Sequence, residues 1–345
     1  MTATPELVQG TPVSRDPGFL EPDEFRQIGE AIEAAVAKTI VGQREAVRGV
    51  LICLAAGGHA LLEGVPGLGK TTMARSFADV LDLSQRRIQF TPDLMPADIT
   101  GTTVLSQEGS ETRGSLRFEP GPVFANLVVA DEINRAAPRT QSALLEAMQE
   151  GRVTIANTTH RLPEPFFVLA TQNPVELYGT YPLPEAELDR FMLKLRFGFP
   201  PLEELNAMVT RTTEPQSPTV APVADASTIL RMSTLVRSVP AAAHVVDYAS
   251  RLVLALHPDR PAASEQVRQY VRLGPSPRGV QTLCMAGRVA ALMAGRFVLA
   301  VEDIREVALA ALRHRLVLSF DADRQAISAD QIIGEALERL PRESL

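Results

Sequence analysis

The sequence predicts an α/β fold in which a parallel five-stranded sheet, covered by helices, is followed by a helical C-terminal domain. Up to about residue 200, short apolar runs alternate with helical stretches. This alternation is typical of a parallel sheet that is buried on both faces. After Gly198-Phe199-Pro200-Pro201 the pattern changes to helix and loop with little strand signal. We therefore expect an α/β domain over residues 22–200 and a helical domain over residues 201–345.

The spacing of apolar residues predicts the elements in order along the chain. Helical spacing between Pro22 and Lys38 predicts a first helix, and a second is expected over Gln43–Ala55. A third helix, Thr71–Leu81, leaves a glycine-rich loop. The five buried strands are expected at Ala60–Leu62, Ile88–Phe90, Leu127–Ala130, Phe166–Ala170 and Phe191–Leu195. The C-terminal helices are expected around Ile229–Val236, Ala242–Leu256, Val280–Ala294, Val301–Arg313 and Asp330–Leu340.

The composition limits the kind of protein that the chain can be. Its 345 residues carry a net charge of −7, so no overall basic field is available to hold nucleic acid. No uninterrupted apolar run is long enough to cross a bilayer. Residues 1–21 are rich in proline and lack the pattern of a signal peptide. We expect a flexible tail, a soluble cytoplasmic protein, and reduced thiols at Cys53 and Cys284.

The loop between the first strand and the third helix predicts a phosphate-binding site. Its sequence fits the phosphate-loop pattern completely, as Gly64-Val65-Pro66-Gly67-Leu68-Gly69-Lys70-Thr71. Glycines let backbone N–H groups turn toward phosphates, and the next helix directs its positive dipole end at them. Lys70 would neutralise the β- and γ-phosphates of ATP, and the Thr71 hydroxyl would ligate Mg²⁺. The nucleotide-binding candidates of this loop are Gly64, Pro66, Gly67, Leu68, Gly69, Lys70, Thr71 and Thr72.

Two carboxylates follow the buried strand Leu127–Ala130. Asp131 is expected near the metal as a second ligand, and Glu132 near the water that attacks the γ-phosphate. Transfer of a phosphoryl group to water needs charge compensation and a group that orients or deprotonates the water. An Asp-Glu pair alone is more often a helix cap. After a phosphate loop, it indicates ATP hydrolysis rather than small-molecule kinase chemistry.

Three further polar residues are candidates for the ATP site. For each of them, the residues alone also allow an ordinary structural role. Asn173 follows the fourth strand and could bond the water or the γ-phosphate, although Asn before Pro is usually a turn residue. Arg190 precedes the last strand, where a guanidinium could reach a neighbour's γ-phosphate. A surface salt bridge to Asp189 or Glu187 is its alternative. Arg278 begins a helix, an unfavourable place for a cation unless an anion compensates it.

The order of these motifs along the chain resembles an AAA+ ATPase, and the sequences of the motifs resemble the MoxR family. The stretches that carry the resemblance are Gly64–Thr71, Phe90–Ile99, Phe118–Pro122, Ala130–Arg135, Gln141–Glu150 and Ala170–Pro174. The match covers residues 22 to 345 and is densest up to Phe199. It implies an AAA+ phosphate-loop core and a C-terminal helical lid.

The resemblance also implies roles for single residues. It makes Asn173 sensor 1, Arg190 a finger that acts on the neighbouring subunit, and Arg278 sensor 2. The adenine is expected beside Val41, Gly42 and Gln43. ATP and Mg²⁺ are the implied substrate and cofactor.

Several neighbours of the predicted catalytic centre are candidates for supporting roles. Gln89 or Thr91, near the end of the second strand, could hold Glu132 away from water until a substrate arrives. Arg135 and Arg139 face either a neighbouring subunit or solvent.

Two insertions into the α/β domain suit this family. Residues 98–120 and 152–163 have the alternating pattern of hairpins. They resemble the helix-2 insertion and the hairpin before sensor 1, which reach partners or the pore in ring ATPases. Decoration of the sheet edge is the alternative for both. Neither tip carries a stacking aromatic residue, which counts against a motor on single-stranded nucleic acid.

The resemblance implies an ATP-hydrolysing ring, expected to be hexameric, that remodels or assembles client proteins. A partner with a von Willebrand factor A domain is implied, and insertion of a metal or cofactor is one form that the work could take. A nucleotide-gated scaffold with incidental turnover and a magnesium-chelatase-like subunit are the alternatives. No specific nucleic acid is expected as a partner.

Overall fold

The computed structural model describes residues 20–106, 115–174, 179–213 and 220–341. The predicted flexible tail, residues 1–21, lies outside this part of the chain except for its last two residues. No helix in the described part is long and apolar enough to cross a membrane.

The strands lie where the apolar runs predicted them, with additional short strands in the insertions and the C-terminal region. They are β1 (Ala60–Glu63), β2 (Gln85–Gln89), β3 (Gly101–Ser106), β4 (Ser115–Pro120), β5 (Leu127–Asp131), β6 (Arg152–Ile155), β7 (Thr158–Arg161), β8 (Phe167–Gln172), β9 (Leu193–Arg196), β10 (Val271–Leu273) and β11 (Val317–Leu318). The helices are α1 (Pro22–Ala37), α2 (Arg44–Ala56), α3 (Lys70–Val80), α4 (Pro96–Thr100), α5 (Pro138–Glu150), α6 (Glu185–Leu188), α7 (Leu202–Thr213), α8 (Ala226–Ser238), α9 (Ala243–Ala255), α10 (Glu265–Tyr270), α11 (Pro277–Met293), α12 (Val301–Leu312), α13 (Phe320–Arg324) and α14 (Ala329–Arg339).

The five predicted strands form one parallel sheet in the order β2-β5-β8-β1-β9. Because parallel strands end at the same edge, the residues that follow β1, β5 and β8 lie side by side. That edge therefore collects the phosphate loop, the carboxylate pair and Asn173. The last strand begins at Leu193, two residues later than predicted, and the Phe191 carbonyl instead accepts a hydrogen bond from Arg315.

Both predicted insertions are antiparallel hairpins. Strands β3 and β4 pair from Gly101 opposite Pro120, and β6 pairs with β7 across the two-residue turn Ala156-Asn157. Both turn residues have positive φ, as a tight hairpin turn requires. The polar tip predicted for the first hairpin, residues 107–114, lies outside the described residues. The hairpins touch each other, because Phe118 stacks on His160 with ring centroids 4.0 Å apart.

The two faces of the sheet pack against different buried clusters. One cluster joins the sheet to α1, α2, α3 and the C-terminal helices, and the other joins it to α5 and the base of the insertions. The C-terminal region also contains the short antiparallel pair β10–β11, which is too short to produce a strand period in the sequence. The division at residue 200 stays a prediction, since the first cluster contains residues from both sides of it.

Candidate functional site

The phosphate loop forms one wall of a cavity of about 350 Å³ at the carboxyl edge of the sheet. Gly67 and Gly69 have φ values of 86° and 88°, a region that favours glycine. This conformation lets α3 begin at Lys70, so that the amino end of the helix points into the cavity. The Lys70 Nζ donates to the carbonyls of Gly64 and Val65, the latter at 3.3 Å.

The predicted metal ligands lie next to each other in this cavity. The Thr71 hydroxyl donates to the Asp131 carboxylate, with Oγ1 3.2 Å from Oδ2 and 3.3 Å from Oδ1. Asp131 is buried, with 4% of its surface exposed. A hydroxyl and a carboxylate oxygen are the hard ligands that Mg²⁺ prefers, so these residues fit the ion.

Glu132 lies in the same cavity in an unusual backbone conformation. Its φ is 57° and its ψ is 50°, which lies in the left-handed region that residues other than glycine seldom adopt. Such strain is often found at functional sites. Its backbone N–H donates to the Thr171 hydroxyl at 3.0 Å, which holds the residue at the end of β5.

The Glu132 carboxylate is already engaged by two neighbours. Gln89 donates from Nε2 to Glu132 Oε2 at 2.9 Å, and Arg135 Nη1 lies 3.3 Å from the same oxygen. Of the two restraining candidates, Gln89 is thus the one in contact with Glu132. The side chain of the other, Thr91, bonds to Asp93. Arg139 lies exposed in the first turn of α5.

Two residues of this site were missed by sequence reasoning. Arg87 donates from Nε to Asp131 Oδ2 at 2.6 Å and from Nη2 to Gln89 Oε1 at 2.8 Å. Thr171 donates to Asp131 Oδ1 at 3.3 Å. Arg87 and Gln89 are two apart on β2, so they share a face of the sheet. That alternation, on the strand that pairs with β5 and its terminal Asp131, was the available sign in the sequence.

Asn173 also lines the cavity and is 6% exposed. The end of its strand is tied to the end of β1, since Gln172 Nε2 donates to Glu63 Oε1 at 2.7 Å. Burial acts to raise the pKa of Glu63. The Lys194 ammonium, with Nζ 2.6 Å from Oε1, together with Gln172 and Arg196 outweighs this effect and holds the pKa of Glu63 below its usual value. A charged Glu63 therefore anchors the strands beneath the cavity.

The predicted adenine contacts lie outside the phosphate cavity, near the point where the chain leaves the sheet. Gln43 donates from Nε2 to the Gly198 carbonyl at 2.9 Å. Gly64 packs so closely on Phe197 that an added Cβ would lie 2.7 Å from the Phe197 Cβ. The segment 197–198 therefore runs from the start of the phosphate loop to Gln43. The assignment of Val41, Gly42 and Gln43 to the adenine stays a prediction.

Arg190 and Arg278 are not in the phosphate cavity. Both line a separate cavity of about 300 Å³, which shares no lining residue with the first. Within the described residues, the Arg190 guanidinium makes no hydrogen bond or ion pair, so the alternative for this residue, a surface salt bridge to Asp189 or Glu187, is not formed. Arg278 Nη1 lies 3.9 Å from Asp189 Oδ2.

Comparison with known proteins identifies the family. Residues 59–193 match the model of the ATPase family associated with various cellular activities (AAA), and residues 263–336 match that of the AAA lid domain. The chain is 42% identical to Chaperone MoxR1 of Mycobacterium tuberculosis over 88% of this chain and 79% of that protein. It is 32% identical to Protein MoxR of Methylorubrum extorquens over 94% and 98% of the two chains.

A solved structure agrees with these matches. The crystal structure of a suggested ATPase from Cytophaga hutchinsonii superposes with a TM-score of 0.86 at 37% identity. The alignment covers 94% of this chain and 97% of that one. Both the sequence matches and the fold therefore agree with the predicted phosphate-loop core and helical lid. The chain belongs to the MoxR family of AAA+ ATPases.

Proposed function

We propose that this protein hydrolyses ATP at the interfaces between identical subunits of a ring and uses the reaction to remodel or assemble client proteins. One observation carries the proposal. The phosphate loop, Asp131 and Glu132 share one cavity, while Arg190 lies in another with its guanidinium unpaired among the described residues. A cation placed in this way is suited to the phosphates of a second subunit.

The residues of the phosphate cavity would divide the chemistry between them. Lys70 and the amino end of α3 would bind the β- and γ-phosphates. Thr71 and Asp131 would hold Mg²⁺, which when bound offsets the negative charge of the phosphates. Glu132 would orient and deprotonate the attacking water. The amide of Asn173 would bond to the same water or to the γ-phosphate.

Arg190 and Arg278 would complete the site of the adjacent subunit. A trans-acting arginine stabilises the charge of the transition state and contributes on the order of 10³–10⁵ in rate. Arg278 lines the same cavity as Arg190, so we assign sensor 2 to the neighbour's nucleotide as well. Such head-to-tail interfaces close into rings, and a hexamer is the size that we propose.

The proposed work on clients rests on the family. One relative is named a chaperone, and we propose the same class of activity here. A protein with a von Willebrand factor A domain is the proposed partner, with metal or cofactor insertion as one form of the work. The paired hairpins β3–β4 and β6–β7 are the proposed contact surface, because the stacking of Phe118 on His160 joins them.

Steady-state hydrolysis of ATP as a function of protein concentration tests this proposal. We expect the rate per subunit to rise with concentration as subunits assemble, and to fall when Arg190→Ala subunits are added to wild type. A slow rate that is independent of concentration and of added variant would contradict a shared site.

A further inference from the structure

Arg315 is a buried cation that the proposed chemistry does not use. Its side chain is 2% exposed, and it lies just after α12 in the C-terminal region. A guanidinium is buried at a high cost in desolvation unless it is paired and all its donors are bonded. All three of its nitrogens donate hydrogen bonds in this structure.

Most of these bonds go to the segment that carries Arg190. Nε donates to Asp189 Oδ1 at 2.7 Å, and Nη2 to the Asp189 carbonyl at 3.0 Å. Nη2 also donates to the carbonyl of Phe191 at 2.8 Å, and Nη1 to that of Met192 at 3.1 Å. The guanidinium therefore forms hydrogen bonds to the residues on both sides of Arg190 but none to the Arg190 side chain.

The remaining bonds join Arg315 to the C-terminal helices and to the adjacent His314, whose Nε2 lies 2.9 Å from Nη1. Nη2 donates to the Thr282 hydroxyl of α11 at 3.2 Å, and Nη1 donates to the Ala311 carbonyl of α12. The planar, five-donor fork of arginine makes this set of bonds possible, and the three-donor ammonium of lysine cannot reproduce it.

Asp189 also connects Arg315 to Arg278. Its other carboxylate oxygen, Oδ2, accepts a hydrogen bond from the Ser276 hydroxyl at 2.8 Å and lies 3.9 Å from Arg278 Nη1. One carboxylate is thus shared by Arg315, the residue before α11, and Arg278. Asp189 therefore links Arg315 to Arg278, and it directly precedes Arg190 in the chain.

We propose that Arg315 is a positioning residue that, through Asp189, fixes Arg190 to the C-terminal helices. This proposal rests on the proposed action of Arg190 on the neighbouring subunit. A movement of α11 and α12 is then transmitted to the finger, so the lid of one subunit sets the hydrolysis rate of the next. A displacement of about 1 Å at a catalytic group can cost on the order of 100-fold in rate.

Arg315→Lys keeps the charge and removes the fork. We expect kcat to fall about 10- to 100-fold, while the KM for ATP changes less than about twofold, because no phosphate-cavity residue touches Arg315. Asp189→Asn serves as a second variant that keeps an acceptor for Nε. Arg313→Lys is the matched control. The Arg313 side chain is partly buried, at 12% exposed. It bonds to Asp330 and the Lys194 carbonyl rather than to the segment around Arg190, so the substitution should leave kcat unchanged.

Complementation between subunits separates positioning from folding. Glu132→Gln subunits have an inactive site but an intact finger, so they should restore hydrolysis to the sites of Arg315→Lys subunits in mixed rings. Arg190→Ala subunits should be restored in the same way, at roughly one interface in four for equal random mixing. Recovery of both mixtures, with melting temperatures near that of wild type, is the expected result.

Each other outcome is decisive. If Arg190→Ala is not restored, the proposed function itself fails. If Arg190→Ala is restored but folded Arg315→Lys is not, or if Arg315→Lys hydrolyses ATP at the wild-type rate, Arg315 does not position the finger. Should Arg315→Lys fail to fold, the same two criteria apply to Asp189→Asn.

Discussion

Removing the Gln89 side chain should raise the basal ATPase rate. In the structure Gln89 Nε2 donates to Glu132 Oε2 at 2.9 Å, so the proposed base is held by an amide rather than by water. Gln89→Ala deletes that donor and frees the carboxylate to take up the attacking water. The variant should therefore hydrolyse ATP faster in the absence of any client.

The size of the effect follows from the bond that is lost. A buried hydrogen bond to a charged group contributes about 1.5–3 kcal/mol. The Glu132 side chain is 26% exposed, and water weakens the bond, which leaves about 1 kcal/mol. That free energy corresponds to a change of about fivefold in rate. Arg135 still holds the same oxygen at 3.3 Å, so fivefold is an upper value.

The assay is steady-state hydrolysis over a range of ATP concentrations, with Gln85→Ala as the matched control. Gln85 lies on the same strand but at the opposite end, paired with Leu127. We expect kcat to rise only in Gln89→Ala, with KM for ATP unchanged in both variants. A lower or unaltered kcat in Gln89→Ala would refute a restraining role and indicate that Gln89 helps to orient Glu132.

Three further predictions concern the carboxylates and one buried histidine. Glu132→Gln should bind ATP and accumulate assembled rings while hydrolysis falls by on the order of 10²–10⁴, as measured by nucleotide binding and sedimentation; normal turnover would remove Glu132 from the mechanism. Arg87→Met frees Asp131 from a guanidinium that is 56% exposed, an ion pair of about 0.2–1 kcal/mol. The Mg²⁺ concentration for half-maximal rate should therefore fall up to about fivefold, and a rise would show that Arg87 supports the metal site. Burial lowers the pKa of His59 to about 4, opposed only by the hydrogen bond to the Met148 carbonyl. Below pH 6.5 the unfolded chain therefore takes up a proton at this histidine, while the folded protein does not do so until about pH 4. Between pH 7 and pH 5, wild type should lose about 2 kcal/mol more unfolding free energy than His59→Gln in urea titrations, and equal losses would contradict a neutral buried imidazole.

The elements that sequence reasoning recovered are those with local patterns. The phosphate loop, the strand before Asp131 and the hairpin insertions each carry a local sequence pattern that predicts their structure. The order of the strands in the sheet sets β8 next to β5, which places Asn173 beside the carboxylates. The short strands β10 and β11 have no such period, because three and two residues cannot display one.

What the sequence could not predict are contacts between residues far apart in the chain. Arg87 looks like a solvated residue of an edge strand, and only the pairing of β2 with β5 brings it to Asp131. Arg315 follows two other basic residues, Arg313 and His314, and nothing local distinguishes it as the one that binds the segment around Arg190. Its partners lie more than 120 residues earlier, at Asp189. Polar networks of this kind depend on tertiary packing rather than on propensity.

The central claim is that each active site is completed by a neighbouring subunit, and Arg190→Ala tests it most directly. ATP affinity and the turnover rate of assembled rings should be measured on this variant, alone and mixed with Glu132→Gln. We predict unchanged affinity, a rate lower by on the order of 10³–10⁵, and recovery in the mixture. Turnover at the wild-type rate, or no recovery on mixing, would contradict a site shared between subunits.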